Sequence, residues 1–445
     1  MTIELSEPRR VHEPISAPRP TRTPAPVDRA PSSLRILEVC NDFPPTVGGS
    51  ETHNASEVEF LRRRGHQVCV VVPRAPEAMR SAGYDESTIR RACEPAWSWS
   101  VDGSVPVYNI RETGRSTVGP LYRMWRRLSR RYGPFDVVVV HRAHHVPAFF
   151  RASRLVLTLH YMEMVCPMTF IDYQACGLEP SGRCACYATR SRWRNAKWHA
   201  RQRITRRLVD AVVTKYPHIH EKLLHSGVPA DKLHRVPNWI DAGGFGGRRV
   251  RWPSMPDDLP AFGRDASCVF GYLGRLSPDK STVAMLDAFL RVARNLDGAR
   301  LLIVGDGEER AALERMTAAS GLTDRVRFIG SIARRDVPAA LSFFDCGLKV
   351  SAYDNFSWSL LELMAAGLPV IATAEPGTDG LMVDGETAFL CDPSPTSIAA
   401  AMERAFQQPE LRRRVGDQAR RTIERDYSQR NLLRYEAVLT GDNGS

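Results

Sequence analysis

Two acids eight positions apart, Asp354 and Glu362, sit in the segment of this chain best suited to chemistry. The run from Asp354 to Val370 predicts a strand, a short polar loop and a helix over about Ser357 to Ala366, with Gly367 as the residue that ends it. Asp354 then lies in the loop and Glu362 about two turns into the helix, so both can face one ligand. The amides of Phe356, Ser357 and Trp358 at the helix start add an anion site. An ordinary amphipathic helix, with Leu360, Leu361, Met364 and Ala365 inside and Glu362 in solvent, accounts for the same pattern.

Other residues offer complementary charge. Gly274 and Arg275, with Lys280 close behind, follow an apolar run and precede a helical one. Arg presents a planar fork to phosphate oxygens and Lys a point charge. Gly48 and Gly49 stand between a strand and a helix, where bare amides and a positive helix end can meet a diphosphate; a tight turn is the plain alternative. Gly305, Asp306 and Gly307 begin like a dinucleotide fingerprint, but Arg310 occupies the place of its third small residue, which disfavours an NAD enzyme. His160, at the end of a strand, is placed for a sugar contact or proton transfer.

Four thiols, Cys166, Cys176, Cys184 and Cys186, fall in one Gly- and Pro-containing stretch. They can hold a structural zinc; reduced thiols or a local disulfide are the alternatives. The other six cysteines are scattered among apolar residues, which fits a reducing cytoplasm. From Arg190 to Arg207 many arginines are interleaved with Trp193, Trp198 and Ile204, a pattern shared by a solvated helix with apolar anchors and by a basic helix touching anionic lipid.

The elements that must position these groups are legible from Leu34 onward, where β-branched runs alternate with stretches of helical period, the mark of parallel sheets flanked by helices. Strands are expected at Leu34 to Asn41, Gln67 to Val72, Asp136 to Val140, Leu155 to Leu159 and Ala211 to Thr214, with a helix from Glu51 to Arg64 capped by Ser50. The second half repeats the theme. Strands are expected at Val269 to Leu273, Arg300 to Val304, Val326 to Ile329 and Gly347 to Val350, and helices at Thr282 to Asn295 and Glu308 to Ser320. The fold class is α/β, with two doubly wound domains. Residues 1–33, rich in Pro and Arg, read as a disordered tail. An N-terminal domain over 34–240 carries a Cys-containing insertion at 161–190. A linker follows at 241–266, then a C-terminal domain at 267–425 and a last helix and tail at 426–445 that packs back on the first domain.

At 445 residues, 43% hydrophobic and 25% charged, the composition is that of a globular protein with sizeable cores. No run approaches the roughly 20 apolar residues of a membrane span. The net charge of +11 favours an acidic partner. Nucleic acid is disfavoured, because no aromatic-basic module or zinc-finger spacing accompanies the charge.

Taken together, residues 34–440 resemble the family 4 glycosyltransferases, retaining enzymes of the GT-B fold in which two Rossmann-like domains face each other across a cleft. The resemblance rests on Phe43 to Glu51 as the glycine loop, Val236 to Asp241 as the interdomain signature, Leu273 to Lys280, Ile303 to Gly307, Val326 to Gly330, and the paired acids from 354 to 370. It implies a nucleotide-diphosphate sugar as co-substrate, with UDP expected first, and no obligatory cofactor. The acceptor would bind the N-terminal domain: a natural product, a polysaccharide or a lipid-linked glycan, with peripheral contact to an anionic membrane inside the cell. Arg275 and Lys280 would grip the diphosphate, assisted by Gly48, Gly49, Asn238, Asn355 and the amides of Phe356 and Ser357. Glu362 would hold the ribose, Phe328 to Gly330 would meet the base, and His160 and Asp354 would lie at the transferred sugar. The chain departs from the family in having Asp354 where Glu is usual, Gly380 where many members carry Glu, and Ser281 where Gly is frequent. A nucleotide-sugar epimerase of the same fold and a non-catalytic sugar-nucleotide-binding subunit are the competing readings.

Overall fold

The computed structural model describes residues 33–40, 43–44, 49–74, 76–81, 86–93, 96–99, 105–111, 118–143, 146, 154–160, 164–165, 191–246, 249–352, 354, 356–378 and 380–442. The four clustered cysteines, the insertion around them apart from Met164 and Val165, Gly48, Asn355 and the tail before Ser33 lie outside these residues.

Eight strands form the first sheet: β1 (Arg35–Val39), β2 (Gln67–Arg74), β3 (Ala96–Trp99), β4 (Val105–Arg111), β5 (Val137–Val140), β6 (Arg154–Leu159), β7 (Ala211–Thr214) and β8 (Leu233–Arg235). Their order is β3-β4-β2-β1-β5-β6-β7-β8, and only β3 runs antiparallel. A second sheet has the order β11-β10-β9-β12-β13-β14, all parallel. Its strands are β9 (Cys268–Leu273), β10 (Ala299–Val304), β11 (Val326–Gly330), β12 (Cys346–Lys349), β13 (Val370–Thr373) and β14 (Phe389–Cys391). In each sheet the chain fills one side, returns to the centre and fills the other. The order therefore reverses between β1 and β5 and between β9 and β12, the places where such sheets take ligands beyond their carboxyl ends. Two sheets of this kind, with their helices, make the GT-B fold.

Covering both faces of a parallel sheet buries its strands completely, which is why they read as continuous apolar runs. Val137–Val140 of β5 are each at most 2% exposed, worth about 1.5–3 kcal/mol per side chain relative to solvent. The flanking helices are amphipathic instead. In Thr282–Val292 the buried residues include Met285, Leu286, Phe289 and Val292, one face of a helical period.

Three expectations change. The first helix runs Gly49–Arg63, so Ser50 lies inside its first turn rather than at its cap. Residues 249–266, read as part of a linker, pack on the second sheet: Trp252, Met255 and Leu259 are buried in one cluster with Phe343 and Val269, and Leu259–Phe262 form a short helical turn. The basic segment is the helix Arg192–Leu208, capped by Ser191, but its inward face carries Asn195, Gln202 and Thr205, while Trp193 and Ile204, read as anchors, are 71% and 54% exposed.

The chain returns to its beginning at the end. In the helix Arg430–Thr440, Tyr435 and Leu439 complete the core under β1, and Glu436 meets Arg64 at 3.0 Å and His66 at 2.8 Å. Beside the crossover, Ile240 N donates to Tyr427 O (2.8 Å) and the Asn431 side chain donates to Asn238 O (3.0 Å). No helix among the described residues is long and apolar enough to cross a membrane.

Candidate active site

The carboxyl edge of the second sheet gathers the charged residues. Lys280 ends a short 3-10 turn after β9 and donates to Asp354 Oδ2 at 2.7 Å. Lys349, the last residue of β12, lies 3.7 Å from the same oxygen and donates to Glu375 Oε1 (2.6 Å) and Ser351 Oγ (2.8 Å). Ser351 also donates to Glu375, and its backbone is tied to Thr373 Oγ1 from the end of β13. Burial pushes the Asp354 carboxyl up, but Lys349 and Lys280 outweigh it and hold it below the ordinary carboxylate range. Glu375 comes out the other way: burial dominates and raises it despite Lys349. Burial opposes the charge on Lys280, yet Asp354 keeps its ammonium above the ordinary range. The result is a fixed array of two cations and two acids in which the cations are already oriented.

Above this array stands the helix Trp358–Ala365, whose start no side chain caps. The amide of Phe356 is not free as expected, because it donates to Asp354 Oδ1 at 3.3 Å. Ser357, buried, meets Ser359 through its hydroxyl. Glu362 is not in solvent: it is 2% exposed and paired with Arg334, which also lies 5.9 Å over the Trp358 ring. Arg275 is two-thirds exposed at the mouth, loosely paired with Asp279 at 3.3 Å. Gly305 and Gly307 allow a close approach, since a Cβ on either would collide with the carbonyl of Gly274 or Leu276. Gly305 N bonds Gly330 O at 2.9 Å, which joins the β10 loop to the end of β11, where Phe328 is half-buried.

The first domain approaches from the other side. A Cβ on Gly49 would meet Trp358 Cβ at 3.2 Å, so the starts of two helices, one from each domain, converge. Two positive helix ends with Lys280 and Arg275 nearby can hold a diphosphate. Phe356 is stacked between Tyr216 of the first domain and Tyr427, at 5.6 and 5.8 Å. Asn238 stays at the crossover, buried, and is held there by its backbone carbonyl.

His160 lies on this face, 7% exposed, in a buried group that the sequence reading missed: Glu38, His53, Glu57, His141 and Lys215. His53 stands edge-on to His160 at 5.4 Å and to Trp358 at 5.7 Å. Lys215 donates to Glu57 at 2.6 Å and sits 4.9 Å over Tyr435. Burial depresses the basicity of His53 and, further, of His160, leaving both rings neutral. Lys349, Glu375 and Arg334 were missed as well. A signal was present for some: Glu38 lies between Leu37 and Val39, and Lys349 between Leu348 and Val350, and charged residues in such apolar runs are seldom buried without a partner.

Two family models match, "Glycosyltransferase Family 4" over residues 47–243 and "Glycosyl transferases group 1" over 263–422. The chain is 25% identical over 394 residues to a GDP-mannose-dependent alpha-mannosyltransferase of Mycolicibacterium smegmatis, covering 88% of this chain and 92% of that one. It is 26% identical over 431 residues to the phosphatidyl-myo-inositol mannosyltransferase of Mycobacterium leprae, covering 92% and 98%. A shorter match, 26% over 227 residues, reaches the alpha-D-kanosaminyltransferase of Streptomyces kanamyceticus, 50% of this chain and 58% of that protein's length. Among solved structures, Anabaena HepE in complex with UDP and glucose superposes with a TM-score of 0.64 at 17% identity, covering 92% of this chain and all of the other.

Proposed function

Because this chain belongs to the family 4, group 1 glycosyltransferases, we propose that it moves a hexose or amino sugar from a nucleotide-diphosphate sugar to an acceptor hydroxyl with retention of configuration. The observation that carries this reading is the convergence of the two helix starts at Gly49 and Trp358 over the pre-oriented Lys280–Asp354–Lys349 array. A diphosphate leaving group needs fixed positive charge that strengthens as the bond breaks, and helix-end amides with Lys280 and Arg275 supply it. Asp354 and His160 then border the sugar, and Glu362 and Arg334 border the nucleoside end.

In the proposed reaction the bond from the anomeric carbon to the diphosphate oxygen breaks while the acceptor oxygen bonds to the same face. The acceptor proton passes to the departing phosphate. A side-chain glycosyl adduct trapped with a slow donor would overturn this route. The matched GDP-mannose enzyme and the UDP-bound neighbour divide the donor question, and we place UDP first and GDP second.

The acceptor belongs to the first domain's side of the cleft. Arg192, Arg194, Lys197 and Arg203 surround the outward Trp193 and Ile204, which favours an acceptor carried on an anionic surface over a freely diffusing natural product. Co-sedimentation with acidic but not neutral vesicles, lost in Trp193→Ser with Ile204→Ser, tests this.

The donor reading is tested by melting the protein with UDP, GDP and ADP sugars, since a ligand of the native state raises the melting temperature. A shift with one nucleotide series, absent in Lys280→Ala and Glu362→Ala, is expected; no shift with any sugar nucleotide sinks the reading. Turnover of the donor without an acceptor, giving an epimer, would select the epimerase instead.

A further inference from the structure

The reversal point of the first sheet holds a chain of buried groups that the proposed transfer does not require. Glu38, next to the carboxyl end of β1 between Leu37 and Val39, is 2% exposed. Its Oε2 lies 2.9 Å from His141 Nε2, and His141 Nδ1 lies 3.1 Å from His160 Nε2, with the two rings nearly parallel. Glu38 Oε1 has no hydrogen-bond partner. The three residues come from β1 and from the ends of β5 and β6, so the topology itself lines them up.

Burial raises the Glu38 carboxyl and its hydrogen bond with His141 lowers it; with Glu38 ionised, proton counting gives the chain one direction. An ionised carboxylate only accepts, so His141 must carry its hydrogen on Nε2. Its Nδ1 is then a bare lone pair, and the hydrogen between the two rings belongs to His160 Nε2. That leaves His160 Nδ1 unprotonated, and it bonds no described residue. The surrounding groups are His53 and Glu57 from the helix Gly49–Arg63, Lys215 after β7, and Tyr435 from the last helix. Burial keeps the His160 ring neutral among them, so its free nitrogen is an acceptor and not the donor of an imidazolium.

We propose that Glu38 and His141 are positioning residues that lock His160 as the Nε2–H tautomer, so that its Nδ1 accepts a hydrogen bond from a hydroxyl of the sugar held in the cleft. The proposal rests on the donor reading above for the identity of that ligand, while the lock itself is a property of the free protein. A buried carboxylate with one idle oxygen is expensive to keep, and an apolar residue of similar size is often as stable or more so. A switch of direction is also built in: if Glu38 were protonated it would donate to His141 Nε2, both rings would reverse, and His160 would offer Nδ1–H to the cleft.

Long-range nitrogen–proton correlation spectra of protein labelled with 15N-histidine, assigned with His160→Gln and His141→Gln, read the tautomer directly. The ligand-free wild type is expected to show His160 protonated on Nε2 alone; Nδ1–H or an even mixture overturns the lock. In Glu38→Leu the His160 signals should move towards a mixture. UDP-glucose hydrolysis should fall about 10- to 100-fold in kcat with little change in KM, and Glu38→Gln, whose carbonyl can still accept, should recover part of it. A folded Glu38→Leu protein with wild-type kcat overturns the proposal. So does a donor that raises the melting temperature yet leaves the His160 Nδ1 resonance unmoved. If no sugar nucleotide changes the melting temperature, the donor reading fails, and the lock stands or falls on the ligand-free spectrum.

Discussion

At the reversal point of the first sheet the polar side chains are Glu38, His141 and His160; at that of the second they are Lys280, Lys349, Asp354 and Glu375. Both groups lie at the carboxyl ends of parallel strands, as the shared topology requires; Glu38, His141, His160, Lys349 and Glu375 are buried, and Lys280 and Asp354 are partly exposed. They differ in what burial does to them. Two lysines face two carboxylates in the second sheet; the charges of Asp354 and Lys280 are held by their neighbours, while burial raises Glu375. In the first sheet one carboxylate faces a chain of two imidazoles, and burial keeps the end of that chain, His160, neutral. A set of oriented cations suits a partner that is already an anion. A set of neutral, directional groups suits hydroxyls, whose contacts depend on which atom carries the proton. On the proposed donor reading, the same scaffold serves a charged and an uncharged part of one ligand.

Separating the two kinds of site starts with Lys349. Replacing it by Met leaves Glu375 buried without its cation, a loss of about 3–5 kcal/mol. That lowers the melting temperature by roughly 10 °C for a domain of this size. Adding Glu375→Leu should restore most of it, and a double variant as unstable as the single would mean the pair is not the cause. Lys280→Ala should act on function more than on stability, because Asp354 keeps Lys349 at 3.7 Å. Donor turnover is expected to fall about 10²–10³-fold, the size of losing one fixed charge-stabilising donor. Initial rates at saturating nucleotide sugar measure it.

Acid should distinguish the halves. His53 and His160 are depressed by burial, so the unfolded chain binds protons more readily as pH falls below about 6.5, and stability is lost there. Glu38, raised by burial, opposes this trend, as a group that gains from protonation must. Asp354 is depressed, so its contribution persists until pH falls into the ordinary carboxylate range near about 4. Melting curves between about pH 7.5 and 5.5 should therefore decline, and His160→Phe should flatten them while Asp354→Asn should not. Parallel curves for all three proteins would place the acid sensitivity elsewhere.

How much of this was legible follows from the same contrast. The strands and the helix start at Trp358 were readable because apolar runs, Gly367 and the Asp354 loop are local signals. Lys280 was found because it lies in the short turn between an apolar strand and a helix, close behind Gly274 and Arg275. Lys349, Glu38 and His141 were not, since their meaning depends on partners 26, 103 and 19 positions away. The helix Arg192–Leu208 was ambiguous in a different way: its pattern fitted both apolar anchors turned inward and apolar residues turned to a lipid surface, and Asn195, Gln202 and Thr205 take the buried face. Spacing alone cannot say which stripe of a mixed helix faces in.

The smallest expected effect concerns Ser281, between Lys280 and the helix Thr282–Val292. It is the only non-glycine among the described residues with a positive φ, +49°, in the left-handed region. Glycine is frequent at this place in the family, and the backbone supplies the reason: the chain must reverse sharply so that Lys280 faces Asp354 while the helix leads away over β9. A Cβ there costs roughly 1–2 kcal/mol, and glycine returns part of that gain through its freer unfolded chain. Ser281→Gly should thus stabilise the second domain by about 0.5–1 kcal/mol, a rise of a few degrees in melting temperature. The Ser281 hydroxyl makes no capping bond to the helix, so nothing is lost in exchange. If the turn is strained in order to aim Lys280, relief of that strain should leave the donor-induced shift smaller as the lysine gains freedom. A variant that is more stable and binds the donor equally well would show instead that the lysine is aimed by Asp354 alone.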